Sequence, residues 1–184
     1  MKTSRRQFLA LSAGALLSTR LSHSSAAAAP NWIDAHVHVW NADTIKYPLA
    51  PDWNKAGLRA SFTPETLLSE CRPEGVSRIV LIQMSFYQFD NAYMLDMMRQ
   101  HRGIFAGVAV IDENAPNLAH RMKTFNEQGV RGFRVYANAK NAAAWEHSEG
   151  MQTLWRDAAI NRQSICCLTD PEALPALSRL CRQH

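Results

Sequence analysis

The chain has 184 residues, 47% of them hydrophobic and 20% charged, with eight glycines and eight prolines. That is an ordinary globular composition, which excludes a disordered, collagenous or low-complexity chain, and no apolar run reaches the roughly 18 to 20 residues needed to span a bilayer. The formal charge of +4 does not mark a nucleic-acid binder: Lys2, Arg5, Arg6 and Arg20 all lie in the first 29 residues, and without them sixteen basic residues balance sixteen acidic ones.

Residues 1–29 read as an export signal. Thr3-Ser4-Arg5-Arg6-Gln7-Phe8-Leu9 is a paired-arginine start, Ala10 to Leu17 a short apolar core, and Ala27-Ala28-Ala29 an A-x-A cleavage site. The pattern is similar to the twin-arginine signal, which exports folded proteins, so the expected destination is the periplasm or the medium. Folding before export would occur in a reducing compartment. Cys71, Cys166, Cys167 and Cys181 show no C-x-x-C spacing and are expected to be buried, unpaired thiols.

From residue 30 onward, strand and helix signals alternate. Trp32 to Val39 is strand-like. Thr63-Pro64-Glu65 has the cap, first-turn proline and acid of a helix start, with Leu67, Leu68 and Cys71 as its apolar side. Arg78 to Met84 is a continuous apolar run of the kind found in buried parallel strands. Met94, Met97, Met98 and His101 follow at helical spacing from about Asn91. Ile104 to Ile111 predicts a third strand, and Asn114 and Pro116 open a helix carrying Leu118, Met122 and Phe125. Val130 to Tyr136 is the fourth strand, followed by a loop holding Trp145, Glu146 and His147. Met151, Leu154, Trp155, Ala158 and Ala159 mark a fourth helix, and Ser164 to Thr169 a fifth strand. Asp170-Pro171 opens the last helix, with Leu174, Leu177 and Leu180 turned inward.

Five strand-then-helix units imply parallel strands with helical crossovers, either an open doubly wound sheet or an eight-fold barrel. A dinucleotide-binding sheet would place a glycine-rich turn after the first strand. That position holds His36-Val37-His38-Val39-Trp40, without glycine. The one long connection, Asn41 to Ser61, carries Tyr47 and Trp53, aromatics that suit either a pocket wall or packing. It follows the first strand, on the side where barrel enzymes place their active-site loops.

The chemistry concentrates in Ile33-Asp34-Ala35-His36-Val37-His38-Val39. Strict alternation puts Asp34, His36 and His38 on one face and the four apolar residues on the other. Two imidazoles at i and i+2 can converge on one divalent cation. They also suit hydrogen-bonded core or edge positions. On the fourth strand Arg134 shares a face with Gly132 and Tyr136, whereas Arg131 has the opposite parity and reads as structural. His101 and His120 read as helical surface residues, His147 as a solvated loop residue, and Asp170 as a helix cap.

Ile33 to Trp40, followed by Tyr47-Pro48-Leu49, resembles the opening of the amidohydrolase superfamily, in particular the amidohydrolase-2 branch with its sugar-lactone and pyrone-dicarboxylate lactonases. Gln128 to Val135 looks like that branch's fourth strand. The resemblance implies an α/β fold, a TIM (β/α)8 barrel, and hydrolysis of a lactone, ester or amide of a small-molecule substrate by activated water. It makes His36 and His38 the first-strand metal ligands, with zinc the first choice, or substrate-binding groups if the site works without metal. It makes Arg134 a two-pronged donor to a substrate carboxylate or carbonyl oxygen, while the residue by itself suits a salt bridge to a neighbouring helix equally. Two alternatives accompany it: a metal-dependent decarboxylase of the same branch, and a non-catalytic remnant.

The family's later ligands and its late aspartate base have no counterpart here. Removing the 29-residue leader from 184 residues leaves 155, whereas such a barrel typically takes about 250. The expectation is therefore residues 1–29 as leader and residues 30–184 as the front part of a barrel, about five βα units, with an exposed edge and a half-covered core.

Overall fold

A computed structural model describes residues 31–53 and 60–184. The predicted leader lies outside them. Five strands alternate with helices: β1 (Trp32–Val37), α1 (Pro64–Cys71), β2 (Val76–Ile82), α2 (Ala92–Gln100), β3 (Phe105–Ala109), α3 (Leu118–Glu127), β4 (Val130–Ala137), α4 (Ala139–Trp145), α5 (Glu149–Asn161), β5 (Ser164–Thr169) and α6 (Leu174–Gln183). Short 3₁₀ turns at Ser85–Tyr87 and Pro171–Ala173 complete the order. None of the helices described is long and apolar enough to cross a membrane.

All strand pairs are parallel, and the sheet order is β1-β2-β3-β4-β5. A doubly wound sheet would reverse direction at a switch point. An unbroken sequential order, with crossovers of one hand, instead coils the sheet around an axis with its helices outside. The result is a curled half-barrel. Ile79 and Leu81 on β2, and Phe133 and Val135 on β4, are buried in one core with Met94, Met98, Met122, Leu154 and Trp155 from the helices. The edge strands are less covered: Trp32 and Ile33 on β1 and Leu168 on β5 are exposed.

Local signals explain most boundaries. Thr63 caps α1, its Oγ1 accepting from the backbone N–H of Thr66, with Pro64 in the first turn. β5 has the expected ends. Other expectations need correction. α4 occupies the stretch read as loop after β4; it is alanine-rich and starts at a capping box in which Asn138 and Asn141 satisfy each other's backbone N–H groups. α3 starts at Leu118, one residue past a left-handed Asn117, rather than near Asn114. Leu174 is 54% exposed because the Pro171–Ala173 turn comes first and Ala173 takes the inward place. Asp170 holds the cap position of that turn but makes no side-chain capping bond. The cysteines are all free, but Cys167 and Cys181 are exposed and Cys71 and Cys166 only partly covered. Cys167 lies on β5, which is paired on one side only.

Asn91 has a role no motif announced. It is buried, and its amide completes the ladder beyond β3, donating to the carbonyl oxygen of Val110 at 2.8 Å and accepting from Val110 N–H at 3.1 Å. Asn91→Ala would strand a buried donor and acceptor together. We expect a loss of about 2–6 kcal/mol, at about 1–3 kcal/mol for each of the two unsatisfied groups, measured by urea denaturation; a loss below about 1 kcal/mol would show that the ladder closes without it.

Candidate functional site

The paired register shows where alternation fails on the first strand. Asp34 lies opposite Ile79, and Val37 opposite Leu81, so three steps on β1 match two on β2. This bulge puts one extra residue between them. Asp34 therefore falls on the face of Ile79 and Leu81, not with the histidines, and its Oδ1 accepts from His36 N–H at 3.1 Å. Ile33, expected to pack beneath helices, is 51% exposed. His36 and His38 stay together on the opposite face from Val37, at the C-terminal end of β1.

The two imidazoles meet edge to face, with Nε2 atoms 3.3 Å apart. His38 lies just past β1 and is anchored through Nδ1 to the backbone carbonyl oxygen of Ile82 at the end of β2, at 2.8 Å. A carbonyl only accepts, so Nδ1 carries the proton and Nε2 keeps its lone pair. Arg134 comes from β4, and its Nη2 lies 3.3 Å from Nε2 of His36. In a flat sheet β1 and β4 are three strand spacings apart, about 14 Å. The contact exists because the sheet curls. Nε of Arg134 is buried without a hydrogen-bond partner, and Cys166 stands beside Arg134 in the β4–β5 register.

Burial is the main influence on His38 and holds its pKa below the ordinary 6.5; the Ile82 carbonyl opposes this, while the charges of His36 and Arg134 add to it. The imidazole is thus neutral and ligand-ready near neutral pH. The folded chain takes up this proton at lower pH than the unfolded chain does. Acidification through and below 6.5 therefore favours unfolding, and above 6.5 the contribution vanishes. We expect the thermal midpoint to fall further between pH 7.5 and 5 in the wild type than in His38→Gln; equal shifts would sink this assignment.

The other candidates separate from this cluster. Arg131 donates to the backbone and side-chain oxygens of Asn126, the structural role expected of it. Tyr47 is buried, its hydroxyl donating to Asp96 at 3.0 Å and its ring against Tyr93, while Trp53 lies against Phe86. His120 and His147 are exposed. His101 caps the end of α2, packed on Phe105 and 3.4 Å from Glu65. The carbonyl of Ile82 went unforeseen, since a backbone atom leaves no side-chain signal.

Two imidazole nitrogens on one tetrahedral zinc, each about 2.0–2.1 Å from it, lie about 3.3–3.4 Å apart. The observed 3.3 Å fits that edge, and the carbonyl-anchored Nδ1–H of His38 is the usual support of a metal-bound histidine. A catalytic zinc generally takes three protein ligands. Among the described residues no group of three or more His, Cys, Asp or Glu side chains is placed to hold an ion. The pair therefore fits as the first two ligands and no more.

Residues 33–158 match the sequence model of the family described as Amidohydrolase. The chain belongs to the amidohydrolase family. Over 105 residues it is 28% identical to an L-fucono-1,5-lactonase of Burkholderia multivorans, an alignment covering 55% of this chain and 34% of that protein. Two solved structures share the fold of this amidohydrolase chain. One, from Pseudomonas putida and designated a 2-pyrone-4,6-dicarboxylic acid hydrolase, superposes with a TM-score of 0.68 at 20% identity, over 82% of this chain and 53% of that one. The other, an amidohydrolase from Burkholderia multivorans with bound zinc, gives a TM-score of 0.61 at 21% identity, over 84% and 54%. The chain thus spans about half the length of these structures and about a third of the curated relative.

Proposed function

We propose that this chain carries the first-strand part of a lactone-hydrolysing site, in which water attacks the carbonyl of a small cyclic ester. The observation that carries the proposal is the meeting, at the C-terminal end of β1, of His36 with His38 and with Arg134 of β4, each 3.3 Å from Nε2 of His36. The lactonase and pyrone-dicarboxylic acid hydrolase names of the relatives support lactones over amides. Zinc in one structural neighbour supports a divalent cation on the two imidazoles. The chemistry such an ion supplies is polarisation of a carbonyl and acidification of a water molecule. His38, fixed by Ile82, presents a neutral nitrogen in one orientation. Arg134 presents parallel N–H donors to a carbonyl or carboxylate oxygen of the substrate and stabilises negative charge developing there.

The paired-arginine start supports action after export, in the periplasm or medium. The test is hydrolysis of a panel of sugar lactones and pyrone lactones by the full chain, with and without added zinc or manganese, followed by acid release. Turnover of a lactone with no turnover of matched amides is the expected result. Carbon dioxide release from a carboxylated substrate without ring opening would replace the proposal with the decarboxylase alternative, and inertness towards every lactone with and without metal would end it.

A further inference from the structure

The bond network around His36 fixes more than position. Arginine has donors and no acceptor. The contact between Nη2 of Arg134 and Nε2 of His36 is therefore attractive only if that nitrogen bears its lone pair, which puts the proton of His36 on Nδ1. The anchored Nδ1 of His38 leaves a lone pair on its Nε2 as well. Two lone pairs thus face each other at 3.3 Å, an arrangement that repels unless a cationic group lies between or beside them. In this structure the cationic group is the guanidinium of Arg134. An imidazole nitrogen has one lone pair, which can receive an N–H or a metal ion but not both.

We infer that Arg134 and a divalent cation compete for the same lone pair on Nε2 of His36, so that Arg134 sets how tightly the imidazole pair holds a metal. Loading the pair displaces the guanidinium from His36. Nε of Arg134 is buried without a hydrogen-bond partner, so it does not anchor the side chain against that movement. The freed fork is then available to an anionic group of the substrate. Metal loading and anion binding become linked through one side chain, each favouring the other. The inference rests on the metal part of the proposed function and not on lactone turnover.

The test is zinc affinity of the full chain, read by competition with a chromophoric chelator, in wild type, Arg134→Met and the double variant Arg134→Met with His36→Ala. Arg134→Met is expected to bind zinc at least tenfold more tightly than wild type, and the double variant is expected to lose the gain. Equal or weaker binding by Arg134→Met overturns the competition while leaving the metal site standing. Absence of binding in both proteins overturns the competition and the metal site together. Imidazole nitrogen chemical shifts of the metal-free wild type check the claim without any variant. His36 should show Nδ1–H with an accepting Nε2, and the reverse tautomer would overturn the inference. Lactone assays enter none of these readouts, so a failed lactone panel and a failed competition remain distinguishable.

Discussion

Phe133→Ala should cost about 3–5 kcal/mol of folding stability. Phe133 is fully buried on β4, in register with Ala109 of β3 on one side and Ile165 of β5 on the other. Its ring meets Phe125 of α3, centroids 6.1 Å apart. Truncation removes the ring's transfer free energy and leaves a cavity that two flanking strands and a helix cannot close. Single domains are stable by only about 5–15 kcal/mol, and edge strands exposing Trp32, Ile33 and Leu168 give this sheet no surplus. Urea denaturation should show the midpoint falling with the slope unchanged. Phe133→Leu, which refills most of the volume, should cost about 1–2 kcal/mol and stay folded if the alanine variant does not. A loss below about 1 kcal/mol in the alanine variant would mean that β4 is not the centre of the core.

Most of the order was legible because β2 holds a continuous apolar run and the helices other than α4 carry a periodic apolar stripe. The run from Arg78 to Met84 became β2, and Ser164 to Thr169 became β5 without a change of boundary. What failed were features set by neighbours. Asp34 lost its place beside the histidines because β1 slips one residue against β2, a choice made by pairing and not by alternation within one strand. Cys167 and Leu174 were expected inside but lie exposed, the first on a strand with a single partner, the second after a short 3₁₀ turn. α4 is a short helix whose start depends on two asparagine side chains, a weaker signal than an apolar stripe.

The candidate site divides the same way. His36 and His38 could be chosen from their spacing on one strand, and Arg134 from its parity on another. Their meeting could not, because it depends on the curl that brings β1 and β4 together across two intervening strands. The anchor of His38 is a main-chain oxygen, so its tautomer was also beyond the reach of the sequence.

Under the proposed lactone hydrolysis, His36→Ala should lower kcat/KM by about 10²–10³-fold or more. His36 is the one side chain in contact with both other members, with Nε2 3.3 Å from His38 and 3.3 Å from Arg134. Its loss removes half of the imidazole pair and leaves Arg134 without its partner. Electrostatic stabilisation of this kind supplies several kcal/mol at the transition state, and each 1.36 kcal/mol is about tenfold in rate. His38→Ala should cost a similar factor, since Nε2 of His38 faces the same point. The pair acts as a unit, so the double variant should be scarcely slower than either single one. Independent roles would instead multiply the two losses. Stability separates chemistry from folding: His36 is exposed, so its replacement should shift the urea midpoint little, in contrast to Phe133→Ala. Activity within threefold of wild type in both single variants would remove the histidines from the reaction and return them to the packing of a strand end.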